Sequence, residues 1–112
     1  MSDDRGKADI LQGMLDMLVL KTLAPEPLHG YGVAQRIRLL SGERIRIPQG
    51  SLYPALHRLE NRGMIKGEWT ATPTGREAKV YRLTPKGRRR LDEEMAEWRE
   101  LSVAIGMVLG IA

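Results

Sequence analysis

The chain has no cysteine and no phenylalanine, and its aromatic residues are limited to three Tyr and two Trp among 112 positions. Without cysteine there is no disulfide, no thiolate metal site and no cysteine nucleophile, a composition that fits a reducing cytoplasm. Without phenylalanine, the core falls to Leu, Ile, Val and Met. The only two histidines, His29 and His57, lack the further Cys or His ligands of a zinc site, so neither metal nor cofactor is expected. Long apolar runs are missing too. Residues 10–24, ILQGMLDMLVLKTLA, are broken by Asp16 and Lys21, and VAIGMVLGIA at the C-terminus falls short of the about 20 apolar residues that span a bilayer. Asp3 and Asp4 sit where a secretion signal carries positive charge. A cytoplasmic protein without a membrane partner is expected. HGYG, residues 29–32, lacks both the GxxxxGK[ST] pattern and a preceding strand, so it is no phosphate loop. With no triad candidate and no metal cluster, an enzyme is not expected.

What the chain does have is an uneven distribution of charge. Residues 36–90 hold 14 Lys/Arg against 4 Asp/Glu, a balance of +10, while the remainder holds 4 basic and 10 acidic residues, a balance of −6. A basic middle between acidic ends points to a polyanionic partner for the middle.

The length suits one domain, residues 1–112, with a modest core. Periodicity predicts a first helix over 8–24. Ile10, Met14 and Leu18 form one row at i+4 spacing, and Leu11, Leu15 and Val19 form the next. Its nearly encircling apolar surface implies burial on more than one side, one of them available to a second subunit. APEPLHG, residues 24–30, reads as a connector. A second helix over 31–40 turns Val33, Ala34, Ile37 and Leu40 inward. SGERIRIPQG breaks it, with Ile45 and Ile47 alternating with Arg44 and Arg46 as a short extended piece. The third helix lies in GSLYPALHRLENRG. Ser51 is its expected N-cap, accepting from the N–H of Tyr53, with Pro54 in the first turn and Gly63 as the stop. Leu52, Ala55, Leu56 and Leu59 project to one side, and Gly50, Tyr53, Pro54, His57, Arg58 and Asn61 to the other. Residues 64–84 read as a hairpin of strands MIKGEW and AKVYRLT joined by TATPTGRE. Thr84 caps a fourth helix with Pro85 at its first position. Its apolar residues Leu91, Met95, Trp98, Leu101, Ile105 and Val108 are spaced near a coiled-coil seam.

The expected fold is therefore mainly α with a small β-hairpin, in the order α-α-α-β-β-α. Helices two and three, joined by a tight break, match a helix-turn-helix whose second member enters the DNA major groove. This explains an outer helix face that carries Tyr, His and Arg rather than Glu and Lys. Tyr53 and Arg58 suit phosphates, His57 and Asn61 suit base edges, and the hairpin tip with Arg76 and nearby Lys79 forms a wing. KGRRR, residues 86–90, either touches the DNA backbone or is solvated helix surface. Gly106 and Gly110 suit close helix packing.

HGYGVAQRI, GSLYPALHRLENRGMI, EW and GREAKVYRLTPKGRRRL, at these spacings over roughly residues 10–100, resemble the PadR family of bacterial winged-helix transcriptional regulators. The resemblance implies a winged helix-turn-helix over 8–84, a C-terminal dimerisation helix over 85–112, and repression by a homodimer on a palindromic operator in double-stranded DNA. The short final helix is similar to that of compact members. The expected DNA-binding residues are Gln49, Ser51, Tyr53, Pro54, His57, Arg58, Asn61, Arg76 and Lys79. Met14, Leu18, Met95, Trp98, Leu101 and Ile105 are the expected dimer interface. There Trp98 either packs or, with its symmetry mate, flanks a slot for a small planar aromatic effector. Two alternatives of another class stay open: a small-molecule sensor with its ligand at that interface, and a winged-helix module for protein contacts only, which has no need of a basic middle.

Overall fold

The computed structural model describes residues 4–111, with side chains from residue 12 onward; the side chains of Ile10 and Leu11, assigned above to the first helix rows, and the acidic Asp3 lie outside the described residues. Along the chain the elements are α1 (Asp4–Leu23), β1 (Leu28–His29), α2 (Gly30–Leu40), α3 (Gln49–Asn61), β2 (Ile65–Ala71), β3 (Glu77–Leu83) and α4 (Pro85–Leu109). This is the expected winged helix-turn-helix with one addition. The connector after α1 contributes β1, which pairs antiparallel with β3 (Leu28 opposite Tyr81, His29 opposite Val80). The sheet order is β1-β3-β2.

The apolar rows meet in one core. Val19, Leu20 and Leu23 of α1 pack with Val33 and Ile37 of α2 and with Leu52, Leu56 and Leu59 of α3. Ile65, Tyr81 and Leu91 close it from the sheet and from α4. Leu40, expected to face inward, is 73% exposed, because α2 ends there. Gly42 and Glu43 follow with φ of 63° and 67°, and the Glu43 N–H closes the turn on the Arg38 carbonyl at 2.8 Å. Ile47 packs against the core, but Ile45 is exposed like Arg44 and Arg46 and the segment pairs with no strand, so the expected alternation does not hold.

The hairpin strands run further toward the tip than the sequence suggests, leaving residues 72–76 as the turn. Thr72 N–H donates to the Arg76 carbonyl (2.8 Å) and Gly75 N–H to the Thr72 carbonyl (2.9 Å). Gly75, at φ 82°, takes the left-handed position of a three-residue hairpin loop. The entry to α4 is as expected: the Thr84 hydroxyl accepts from the Gly87 N–H at 3.1 Å, and Pro85 needs no donor there.

Candidate nucleic-acid interface

α3 starts earlier than its sequence suggests. Pro48, not Ser51, is its N-cap and supplies no side-chain hydrogen bond. The N–H groups of Ser51 and Leu52 both donate to the Pro48 carbonyl, at 2.9 and 3.0 Å, so Ser51 is already inside the helix and does not cap Tyr53. Pro48 sits at φ −65° and ψ 149°, an extended conformation that proline favours and that presents its carbonyl to the first turn. Pro54 consequently lies inside α3 rather than in its first turn. Its missing N–H leaves the Gly50 carbonyl without an α-helical donor. At the other end, Gly63 adopts φ 73°, and the N–H of Met64 reaches back to the Leu59 carbonyl at 3.0 Å, a left-handed glycine cap.

At 100° per residue, the buried row of Leu52, Ala55, Leu56 and Leu59 sets Gly50, Pro54, His57 and Asn61 on the opposite, solvent-facing stripe. All four are exposed, as are Gln49 and Ser51. Asn61 Nδ2 lies 3.2 Å from His57 Nε2, so the two polar tips act as one unit. Tyr53 flanks the stripe, 45% exposed, with its ring against Gly30: a Cβ there would come within 3.0 Å of Tyr53 Cε1. The glycine of HGYG thus lets α2 and α3 approach closely.

Two residues expected to face DNA are otherwise engaged. Arg58 sits on the flank toward α1, and its Nη2 donates to Asp16 Oδ1 at 2.9 Å. It does not share the solvent-facing stripe. Burial pushes the Asp16 carboxyl up, while the Arg58 hydrogen bond and the Arg58 and Arg62 charges pull it down. Lys79 is the third residue of β3, opposite Trp69 of β2. Its Nζ donates to Glu60 Oε1 at 2.8 Å and stands 5.4 Å and 5.9 Å from the ring centres of Tyr81 and Trp69. Glu60 Oε2 also accepts from the Gly67 N–H at 3.2 Å. The Lys79 hydrogen bond holds the Glu60 carboxyl below the usual range, and Glu60 in turn raises the Lys79 ammonium. Burial pushes the Tyr81 phenol up. The pair fastens α3 to the wing, with Arg76 exposed beyond it at the turn.

Sequence reasoning missed the cleft that this geometry creates. It is about 920 Å³, runs between α2, α3 and the wing, and is lined by Tyr31, Tyr53, Trp69 and Tyr81 together with Glu60 and Lys79. Four of the five aromatic side chains of the chain meet there. The available signal was the spacing of Tyr53, His57 and Glu60 along one flank of α3, which points at the hairpin.

Of the residues expected at a subunit interface, Met14, Trp98 and Leu101 share one groove. This groove of about 310 Å³ between α1 and α4 is lined by Met14, Met17, Trp98 and Leu101. Met95 and Leu18 are half-buried beside the core, and Trp98, Leu101 and Ile105 are 41%, 54% and 45% exposed. Among the described residues no helix is long and apolar enough to cross a membrane.

The sequence pattern of the transcriptional regulator PadR-like family matches residues 19–93. A transcriptional regulator of Mycobacterium tuberculosis is 38% identical over 84 residues, 75% of each chain. Among solved structures, a PadR family transcriptional regulator from Eggerthella lenta is 34% identical, with a TM-score of 0.76 over 98% of this chain and 96% of that one. A PadR-like transcription factor from Bacteroides fragilis is 32% identical, with a TM-score of 0.79 over 93% and 98%. The matched stretch runs from the buried end of α1 to the first turns of α4 and so contains the whole helix-turn-helix and wing. The chain therefore belongs to the PadR-like family of transcriptional regulators, which are not enzymes.

Proposed function

We propose that the protein represses transcription by binding, as a homodimer, a palindromic operator in double-stranded DNA. The observation that carries this reading is the solvent-facing stripe of α3. It presents His57 and Asn61 as one polar pair beside two small or rigid positions, Gly50 and Pro54, and it carries no carboxylate. Such a stripe can approach base edges closely, with Gln49, Ser51 and Tyr53 at its N-terminal end for phosphates. Arg76 at the wing tip supplies a backbone contact, while Arg58 and Lys79 serve from their ion pairs by holding α3 in place. The exposed part of α4 supports the dimer. Trp98, Leu101 and Ile105, with Met14, Leu18 and Met95 beside them, form an apolar surface for a second copy, so α4 acts as the dimerisation element of a single domain.

Selection of bound fragments from genomic DNA, followed by anisotropy titration of the selected site and a scrambled site at several salt concentrations, tests the reading. A palindromic site with half-sites about 10 base pairs apart, or a multiple of it, is expected, together with a steep fall of affinity with salt. Equal affinity for both sequences, or a monomer by light scattering at micromolar concentration, would overturn it.

The groove beside Trp98 favours a second, compatible reading: a planar aromatic effector held between two symmetry-related indoles. Fluorescence titration of the Trp69→Tyr protein, in which Trp98 is the only indole, tests it. Absence of quenching by every member of a panel of planar aromatics would leave Trp98 a packing residue.

A further inference from the structure

Asp16 is a charged residue placed inside a helix–helix contact. It is 7% exposed, it lies on α1, and its partner Arg58 comes from α3, 42 residues away in sequence. An ion pair of this kind is poor at stabilising, because the loss of hydration offsets most of the attraction. An apolar pair would fill the same space at least as well, so the pair is better explained by what it fixes than by what it stabilises.

The geometry is that of a joint rather than a saturated strut. Only one hydrogen bond joins the two groups, from Nη2 to Oδ1, and Arg58 Nε is buried without a partner. The two-bond form that guanidinium and carboxylate favour is therefore one bond short. Behind Asp16 lies a polar cavity of about 440 Å³ lined by Gln12, Arg62, Arg90 and Glu94, so packing does not clamp the carboxylate from that side. Arg58 stands next to His57 and one turn from Asn61. Its tether to α1 thus attaches within one turn of both polar tips of the stripe.

We infer that Asp16 is a positioning residue for operator recognition: through Arg58 it sets the rotation of α3 and hence the angle at which His57 and Asn61 meet the base edges. This rests on the reading of α3 as the DNA-contacting helix. It assigns Arg58 a role different from a phosphate ligand, and the two roles have different signatures. A phosphate ligand contributes to every DNA sequence and to the salt dependence. A positioning pair contributes to the preference for the operator alone.

The experiment measures affinity for operator and scrambled duplexes, each across a salt series, for the full-length wild type, Asp16→Asn, Arg58→Lys and the apolar replacement Asp16→Leu/Arg58→Met. Positioning predicts that Asp16→Asn loses operator affinity by at least about fivefold, the lower end of typical coupling between sites, with scrambled-site affinity and salt slope unchanged. Arg58→Lys, which keeps the charge, retains part of the preference. The apolar pair folds with wild-type thermal stability or better and lacks the preference, which separates positioning from a merely structural role. If instead Asp16→Asn leaves operator preference intact and the Asp16→Leu/Arg58→Met protein, but not the charge-keeping Arg58→Lys, lowers the salt slope by about one unit, Arg58 is a phosphate ligand and the inference is wrong. Should the wild type bind no DNA at all, the reading of α3 fails by itself. The inference is then decided by hydrogen exchange: Asp16→Asn must accelerate α3 amides more than those of β2 and β3, and a uniform change overturns it.

Discussion

Gly87→Ala is the substitution whose outcome separates this structure from helix propensity most cleanly. Inside an exposed helix, replacing Gly by Ala stabilises by about 1 kcal/mol. At position 87 the first turn of α4 lies against the carbonyl of Met64, and an added Cβ would sit 2.0 Å from that oxygen and 2.8 Å from Leu83 Cδ1. Leu83 Cδ1 can turn aside, but the oxygen cannot, since it belongs to the backbone and also accepts from the Thr84 N–H at 3.1 Å. Overpacking of this sort costs about 1–3 kcal/mol, and losing the Thr84 hydrogen bond adds about 1 kcal/mol. Subtracting the helix gain leaves a net loss of about 1–3 kcal/mol, or on the order of 4–12 °C in Tm for a domain this size. Thermal melts followed by circular dichroism at one fixed protein concentration measure it, since Tm depends on concentration for any protein that associates, as the proposed homodimer does. A variant as stable as wild type, or more so, would show that α4 does not enter against Met64 as described. The same displacement should swing the distal half of α4, so a weakened dimer is expected alongside the lower Tm.

Arg76→Ala should weaken binding to operator and scrambled DNA alike and lower the salt slope by about one unit, read by anisotropy titration. His57→Ala and Asn61→Ala should each cost about 1–3 kcal/mol at particular base pairs and nearly nothing on scrambled DNA. Glu60 titrates below the ordinary carboxylate range because Lys79 donates to it. Its contribution to stability is therefore present above the unfolded value of about 4.3 and is lost as pH falls through the lower folded value. Denaturation of wild type and Glu60→Gln from pH 7 to 3 should show the gap between them closing in acid; a constant gap would mean the pair does not form. Trp98→Ala should leave the single-chain fold nearly intact and raise the dimer dissociation constant by at least about tenfold, measured by analytical ultracentrifugation.

The features readable in the sequence were those that local chemistry decides. Thr84 and Pro85 marked the start of α4 by capping and by a missing donor, Gly63 marked the end of α3, and the leucine row of α3 named its buried side. What escaped the sequence depends on partners far along the chain. β1 is a two-residue strand next to a proline, and only β3, more than 50 residues later, makes it one. Arg58 lies on the flank of α3 opposite Tyr53, where the helical wheel alone leaves outward and sideways indistinguishable; Asp16 on α1 decides the matter. Lys79 is close to Arg76 in sequence and in the hairpin, but its ammonium is held by Glu60 of α3, a partner 19 residues away that the sequence does not reveal. The cap at Ser51 failed for a different reason. A serine before an apolar row is a good cap only if the helix has not begun, and Pro48 had already turned the chain.

The sheet has a further consequence. β3 is its middle strand and β1 covers only two residues of one side, so β2 runs as an open edge from Ile65 to Ala71. Apart from the Gly67 N–H, which donates to Glu60 Oε2, its outer N–H and C=O groups meet no further strand, and such an edge is a template on which another chain can add itself. This one also carries Trp69, 65% exposed, near its outer end. What disfavours sheet-to-sheet growth is the row of charge beside it. Glu68 accepts from Arg82 at 3.2 Å and lies 3.6 Å from Lys66, and any strand docking on this edge would have to desolvate all three. Lys66 and Glu68 thus act as gatekeepers against aggregation, and their joint replacement by threonine or valine would turn the wing into a nucleus for self-association.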